Sequence, residues 1–251
     1  MRIIAEIGIH HGGDIRRAEE LIASASACGA TDVKFQYFTE QDLAGRPPET
    51  GWPALKMYTL PAEKISDLWA FANGACHVEL GVSFFGLDGV NAFRRHGGEL
   101  DWAKIPACRS ANEYMIRAAR ELLRPMVVSY YPNHEIHSVH ADGADIALHC
   151  TDQYPTPDAE LYLARIYTLP QAFGTVGWSC HAEARPMKTP WLACLAYAAG
   201  ARVFEFHFMD DKVTKVPKGH IEWADQQVSL NPALLANTIQ ELSKCATAMG
   251  G

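Results

Sequence analysis

The sequence predicts an α/β fold, a closed (β/α)8 TIM barrel built as a single domain over residues 1–251. Two observations carry that expectation. Short β-branched or apolar runs alternate with helical patterns along nearly the whole chain, which is the mark of parallel strands joined by crossover helices. Polar and charged residues also recur inside those runs, mostly at their C-terminal ends, where barrel enzymes keep their sites. About 250 residues is an ordinary size for one barrel, and no linker or composition break marks a second domain.

Taken in order, the eight expected strands cover residues 3–7, 32–36, 79–83, 102–105, 125–129, 146–150, 175–179 and 203–207. After the first, Ile15, Ala18, Ile22 and Ala25 form an apolar helical stripe that Gly29 stops. Residues 39–60, with RPPETGWP, read as a long loop after the second strand, on the face that carries function in barrels. Ile65, Leu68, Trp69 and Ala72 mark the next helix, and Ser110 with Glu113 has capping-box spacing ahead of a helix through Ile116 and Leu123. The fifth connection, PNHEIHSVHADG, is a poor helix pattern. The last helix runs from Pro232 to about Met249, with Leu235, Ile239 and Leu242 on one face.

Charge narrows the partners. Lys and Arg total 22 against 29 Asp and Glu, a net charge of -7, so the overall field repels nucleic acid and anionic membrane surfaces, and an anionic substrate needs a local cationic pocket. The first residues, MRIIAEIGI, carry no basic leader, and no apolar run approaches about 18 residues. A cytoplasmic protein is expected. Its seven cysteines are scattered without a CxxC pair, which favours reduced thiols.

Strand residues of one parity face a packed barrel interior, so charged side chains there need a reason other than solvation. Glu6, Lys34, Gln36, Lys104, Ser129, His149, Ser179, Glu205 and His207 all lie in expected strands. Glu205 and His207 are two apart and share a face. Singly, each has a structural explanation: Lys34 and Glu6 as a register-fixing ion pair, His149 as a satisfied core histidine. Together, strand ends that converge on one cavity favour function. Among 11 histidines, His10, His11, His181, His207 and His220 fall on loops or strand ends, and His181 with His207 would present two imidazoles to one divalent ion.

IAEIGIHHGGD, VKFQYF, a KI followed by a later Asn, and LHCTDQYPTP resemble, in order and spacing, the N-acetylneuraminate (sialic acid) synthase family. GWSCHA, VFEFHF and WADQQVSLNP are similar to further segments of that family, so the likeness covers almost the entire chain. The resemblance implies a (β/α)8 barrel that condenses phosphoenolpyruvate with an open-chain sugar aldehyde in the presence of a divalent metal, Mn2+ or Mg2+. It implies His181 and His207 as metal ligands, and Glu6 and Glu205 as the catalytic carboxylates. Substrate contacts are implied at Lys34, Gln36, Lys104, Arg109, Ser129, Asp152, Tyr154, Ser179 and Asp225. Small-molecule substrates and a possible homodimer follow from the same likeness.

Several positions depart from the family pattern. Phe84 stands for Thr, Ala107 for Ser, Arg109 for Glu and Cys180 for Asp, while Tyr130 and Tyr131 follow Ser129, Asp152 adds a negative charge, and Gly12 replaces Asn. ARPMKTP looks like an insertion beside the metal pair, bringing Arg185 and Lys188 as possible anion contacts. The family's C-terminal antifreeze-like domain is not expected in residues 1–251. The leading expectation is therefore a phosphoenolpyruvate-dependent synthase whose aldehyde need not be N-acylated. The alternatives are a metal-dependent aldolase, lyase or isomerase of a keto acid, and a non-catalytic barrel partner or binding subunit.

Overall fold

The computed structural model describes residues 1–44, 58–122, 125–133, 145–169, 173–210 and 224–250. Eight parallel strands close into a barrel in sequence order: β1 (Arg2–Gly8), β2 (Asp32–Tyr37), β3 (Glu79–Phe84), β4 (Trp102–Ile105), β5 (Met126–Tyr130), β6 (Ile146–His149), β7 (Thr175–Cys180) and β8 (Val203–His207). All eight sequence-predicted strands are present, with ends shifted by at most a residue. One shift has a plain cause: Pro125 has no N–H to give the ladder, so β5 begins at Met126.

Outside the barrel lie α1 (Ile15–Ala27), α2 (Glu40–Leu43), α3 (Ala62–Phe71), α4 (Leu87–Arg95), α5 (Glu113–Leu122), α6 (Lys188–Ala198) and α7 (Pro232–Ala248). α1 buries Ala18, Leu21, Ile22 and Ala25, is capped by Asp14, and stops before Gly29, whose φ of +95° suits glycine. α7 takes Asn231 as its cap and Pro232 at its first turn.

Three expectations are revised. Asn112, not Ser110, caps α5: its Oδ1 accepts from Met115 N at 3.1 Å. Ser110 instead closes the 3-10 turn Ala107–Arg109, its Oγ donating to Ala107 O at 2.9 Å, so its side chain is turned away from the helix. Among its described residues the sixth connection holds 3-10 turns, Asp158–Glu160 and Leu163–Thr168, and no α-helix; Pro155 and Pro157 oppose helix extension there. The expected loop at 39–60 contains α2, whose Thr39 and Asp42 form a reciprocal capping box. Residues 45–57 of that loop, most of the fifth connection, Leu123 and His220 lie outside the described residues.

The barrel interior is layered. Ile4, Trp102, Val127, Ile146, Leu148 and Val203 form an apolar plug at its N-terminal end, while strand residues of the other parity join the large core between barrel and helices. Gly81 makes room for the plug, because a Cβ there would lie 2.3 Å from Trp102 Cε2. The indole is fully buried and cannot swing aside. Gly81→Ala is expected to destabilise the protein by about 3 kcal/mol through overpacking, measurable by urea denaturation.

Candidate active site

Directly above the plug the interior turns polar. Lys34 on β2 reaches Glu6 Oε2 on β1 at 2.5 Å and Glu205 Oε2 on β8 at 2.9 Å. Lys104 on β4 binds Glu205 Oε1, which also accepts from Ser179 Oγ at 2.7 Å. The register pairs Glu6 with Lys34 and with His207, and Ser179 with Glu205. Gln36 Nε2 lies 3.4 Å from Glu6 Oε1. Here β1 bulges at Gly8, whose φ is +58° and whose added Cβ would press on Glu6 Oε1 at 2.9 Å.

Burial sets the electrostatics of this layer. Lys34, Glu6, Lys104 and Glu205 are each at most 4% exposed. Burial pushes the Glu205 carboxyl up, but the Lys104 and Lys34 ammonium groups outweigh it and hold it well below the usual carboxylate range. For Lys34, burial lowers the ammonium below its ordinary value despite the pull of Glu205, and Lys104 adds to the lowering. Two lysines and two glutamates leave the layer formally neutral.

The histidine pair lies at the mouth. His181 follows β7 and His207 ends β8, with ring centroids 5.6 Å apart. His181 Nδ1 is 2.5 Å from Thr151 O, so in the neutral ring Nδ1 carries the proton and Nε2 keeps a lone pair. Tyr154 OH meets that Nε2 at 2.8 Å, with the phenol stacked on the imidazole at 4.1 Å, and Ser179 Oγ is 3.3 Å away. His207 Nδ1 lies 3.7 Å from Asp225 Oδ2. Both rings are kept neutral, chiefly by burial, with His207 lowered to about 3 and His181 well below its ordinary value. Neutral imidazoles with a fixed tautomer suit a divalent ion. Among the described residues, no three His, Cys, Asp or Glu side chains converge as a complete ligand set.

Of the sequence-predicted residues, Glu6, Lys34, Gln36, Lys104, Ser179, Glu205, His181, His207, Tyr154 and Asp225 come together through these contacts. Ser129, 2% exposed, is paired in register with Leu148 and lies beside the buried Cys150 thiol. Arg109 and Asp152 do not join them. Arg109 Nε donates to Phe85 O at 2.8 Å, and its side chain lines a cavity of about 810 Å3 over the start of α5. Asp152 is exposed on the loop after β6. His149 has the opposite parity and is a core histidine: its Nε2 bonds Leu161 O at 2.8 Å, while its buried Nδ1 has no hydrogen-bond partner among the described residues. Arg185 pairs with Glu183 and Lys188 with Asp158, so the expected extra anion contacts already have carboxylate partners.

The structure also shows why several departures from the family pattern are tolerated. Phe84 packs outward against Tyr37 and Phe93, at 6.0 and 5.5 Å between centroids, and Cys180 joins the same outer core. Tyr130 packs on Phe173 at 5.7 Å. None of the three belongs to the polar layer. Two residues were missed. Ser83, 1% exposed, is paired in register with both Gln36 and Lys104, and alternation within the third strand would have revealed it. His10 is buried, bonds Ser229 Oγ at 3.2 Å, and is lowered to about 4 by burial, with Asp225 and His207 nearby; the doubled His10–His11 was its signal.

Comparison with known proteins agrees with this geometry. The model of the NeuB family matches residues 21–251. The chain belongs to the NeuB family. Membership bears out the expectation of a barrel enzyme of sialic acid synthase type. N,N'-diacetyllegionaminic acid synthase of Legionella pneumophila is 28% identical over 99% of this chain and 73% of its own length. Spore coat polysaccharide biosynthesis protein SpsE of Bacillus subtilis is 29% identical over 96% of this chain, which spans 66% of that relative. The N-acetylneuraminic acid (sialic acid) synthetase of Leptospira borgpetersenii, solved with citrate, shares the fold at a TM-score of 0.83, with 23% identity over 99% of this NeuB-family chain and 85% of that one.

Proposed function

We propose that the protein joins phosphoenolpyruvate to a sugar or sugar-like aldehyde by a divalent-metal-dependent aldol-type condensation, giving a 2-keto-3-deoxy acid and phosphate. The observation that carries this reading is the buried Lys34–Glu205–Lys104 group directly beneath two neutral histidines at the barrel mouth. His181 and His207 would hold the ion, Mn2+ or Mg2+, with Asp225 beside them. When bound, it supplies Lewis acidity where negative charge develops on the aldehyde oxygen.

The remaining roles fall to the chain's own groups. Lys34 and Lys104 are the cations for the carboxylate and phosphate, with Ser179, Ser129 and Gln36 as polar contacts in the same cavity. The enol carbon attacks the aldehyde carbon, water adds at the former enol carbon, and phosphate leaves. Glu6, next to Lys34 and Gln36, is placed to move the proton of that water. Glu205 is held ionised by its two lysines, so we assign it the task of aiming them. Arg109 and Asp152, outside the cluster, are reserved for the outer part of the acceptor. The cytoplasm, where phosphoenolpyruvate is made, is the setting that fits; no described helix is long and apolar enough to cross a membrane.

One observation favours a second reading. Both lysines already have carboxylate partners, so a trianionic substrate must compete for them, and a phosphate-free keto acid handled by an aldolase or lyase would compete less. Purified protein with Mn2+ or Mg2+, phosphoenolpyruvate and a panel of aldehydes is expected to release phosphate only when an aldehyde is consumed. Metal-dependent cleavage of a keto acid without phosphate release would transfer the assignment to the second reading.

A further inference from the structure

The two histidines that follow β1 have separate partners. His11 turns inward: its Nδ1 accepts from Gly13 N at 3.0 Å, and its ring meets Phe35 edge to face at 5.5 Å. His10 reaches across the rim of the barrel to Ser229 Oγ at 3.2 Å, although the two are 219 residues apart in the chain. The Ser229 hydroxyl in turn donates to Asp225 O at 2.6 Å. With its proton committed there, Ser229 Oγ accepts from the ring, so His10 carries a proton on Nε2. Asp225 O also accepts from Val228 N at 3.2 Å, closing the 3-10 turn Ala224–Gln227. Backbone bonds pin the far side of that turn: Ala184 N donates to Gln227 O at 2.8 Å, and Leu230 N to His207 O at 2.7 Å. His10 adds the tie from the β1 side.

We propose that His10 is a positioning residue: through Ser229 it holds the turn that sets Asp225 Oδ2 3.7 Å from His207 Nδ1, and so fixes how His207 faces an ion. The inference rests on the reading of His181 and His207 as the metal pair. A carboxylate facing one nitrogen of an imidazole keeps the lone pair of the other aimed at the metal, and an outer partner of this kind governs affinity. The Asp225 side chain is 24% exposed, so burial alone does not hold it against His207. Nor does the turn itself, because the bonds of an isolated 3-10 turn are poorly aligned. His10 is suited to the task because its own place is fixed. Its N–H donates to Ile7 O at 3.0 Å and Gly12 N to Ile9 O at 2.9 Å, a tight turn directly off the strand. A group that aims another is most effective when it stands on such a rigid element.

Calorimetric titration of the full chain with Mn2+, with urea denaturation of each protein alongside, tests the proposal. His10→Leu is expected to weaken Mn2+ binding by about 10-fold or more. Ser229→Ala breaks the same tie from its other end, is expected to act in the same direction, and decides the matter if His10→Leu fails to fold. Combining the two is expected to weaken binding no further than the more affected single variant. The nature of the replacement separates positioning from packing. Glutamine carries an amide N–H near the place of imidazole Nε2, whereas the amide of asparagine reaches only as far as Nδ1. His10→Gln is therefore expected to restore Mn2+ affinity and His10→Asn is not. Folded His10→Leu and Ser229→Ala proteins that bind Mn2+ as tightly as the wild type, while His207→Ala does not, overturn the proposal and leave the metal pair standing. A loss that His10→Gln and His10→Asn share equally also overturns it, since His10 then acts by filling space. A wild type that binds no Mn2+ removes the metal pair itself, and this role of His10 with it.

Discussion

Glu205→Gln is expected to lower the stability of the protein by about 3–5 kcal/mol, a fall in Tm of roughly 10 °C, and to abolish turnover. The size follows from what one carboxylate holds: Lys104 and Ser179 at Oε1, Lys34 at Oε2, with burial to 2% exposure. An amide keeps one acceptor and points an N–H donor at the other ammonium. Lys34 retains Glu6 at 2.5 Å, but among the described residues Glu205 is the carboxylate paired with Lys104, which would be left as a buried charge. A second substitution separates this cause from simple cavity effects. Lys104→Met in the Glu205→Gln background removes the stranded charge and is expected to restore stability by about 1–3 kcal/mol while activity stays absent. Urea denaturation of the four proteins of that cycle measures the coupling. Additive losses would show that Lys104 and Glu205 do not act as a pair.

The strands and most of this polar layer were legible in the sequence because both follow the period of two. A charged residue at every second position of an apolar run has one place to go in a closed barrel, so Glu6, Lys34, Lys104 and Glu205 had to meet. What alternation does not convey is which neighbour satisfies which. The sequence suggested a simple Lys34–Glu6 pair, whereas Glu205 bridges two lysines across the barrel. Parity also decides which departures matter. Phe84 and Cys180 depart from the family pattern, but their parity sends them to the helix-facing core. Loop residues have no such period, which is why Arg109 and Asp152 were placed with the strand ends and the structure sets them apart. Ser110 and Asn112 compete for one cap within three residues, and the winner depends on the 3-10 turn before it, a preference that spacing alone does not carry.

Replacing His181 or His207 with alanine is expected to weaken Mn2+ or Mg2+ binding about 100-fold or more and to lower kcat/KM by about 10³-fold. Each removal takes away one of the two neutral imidazole nitrogens proposed to hold the ion. Activity alone does not test this, since any damage near the cavity reduces it, so metal affinity measured by calorimetry is the deciding quantity. Tyr154 sharpens the test. Its hydroxyl meets the same Nε2 of His181 that an ion would need, at 2.8 Å, so the phenol and the metal compete for one lone pair. If His181 is a ligand, Tyr154→Phe removes the competitor and is expected to leave metal affinity unchanged or tighter. If His181 is instead a hydrogen-bond partner that only positions Tyr154, then His181→Ala and Tyr154→Phe impair catalysis alike and neither alters metal affinity. That second pattern, with His207→Ala equally silent, would move the metal away from this pair and remove the Lewis acid from the proposed reaction.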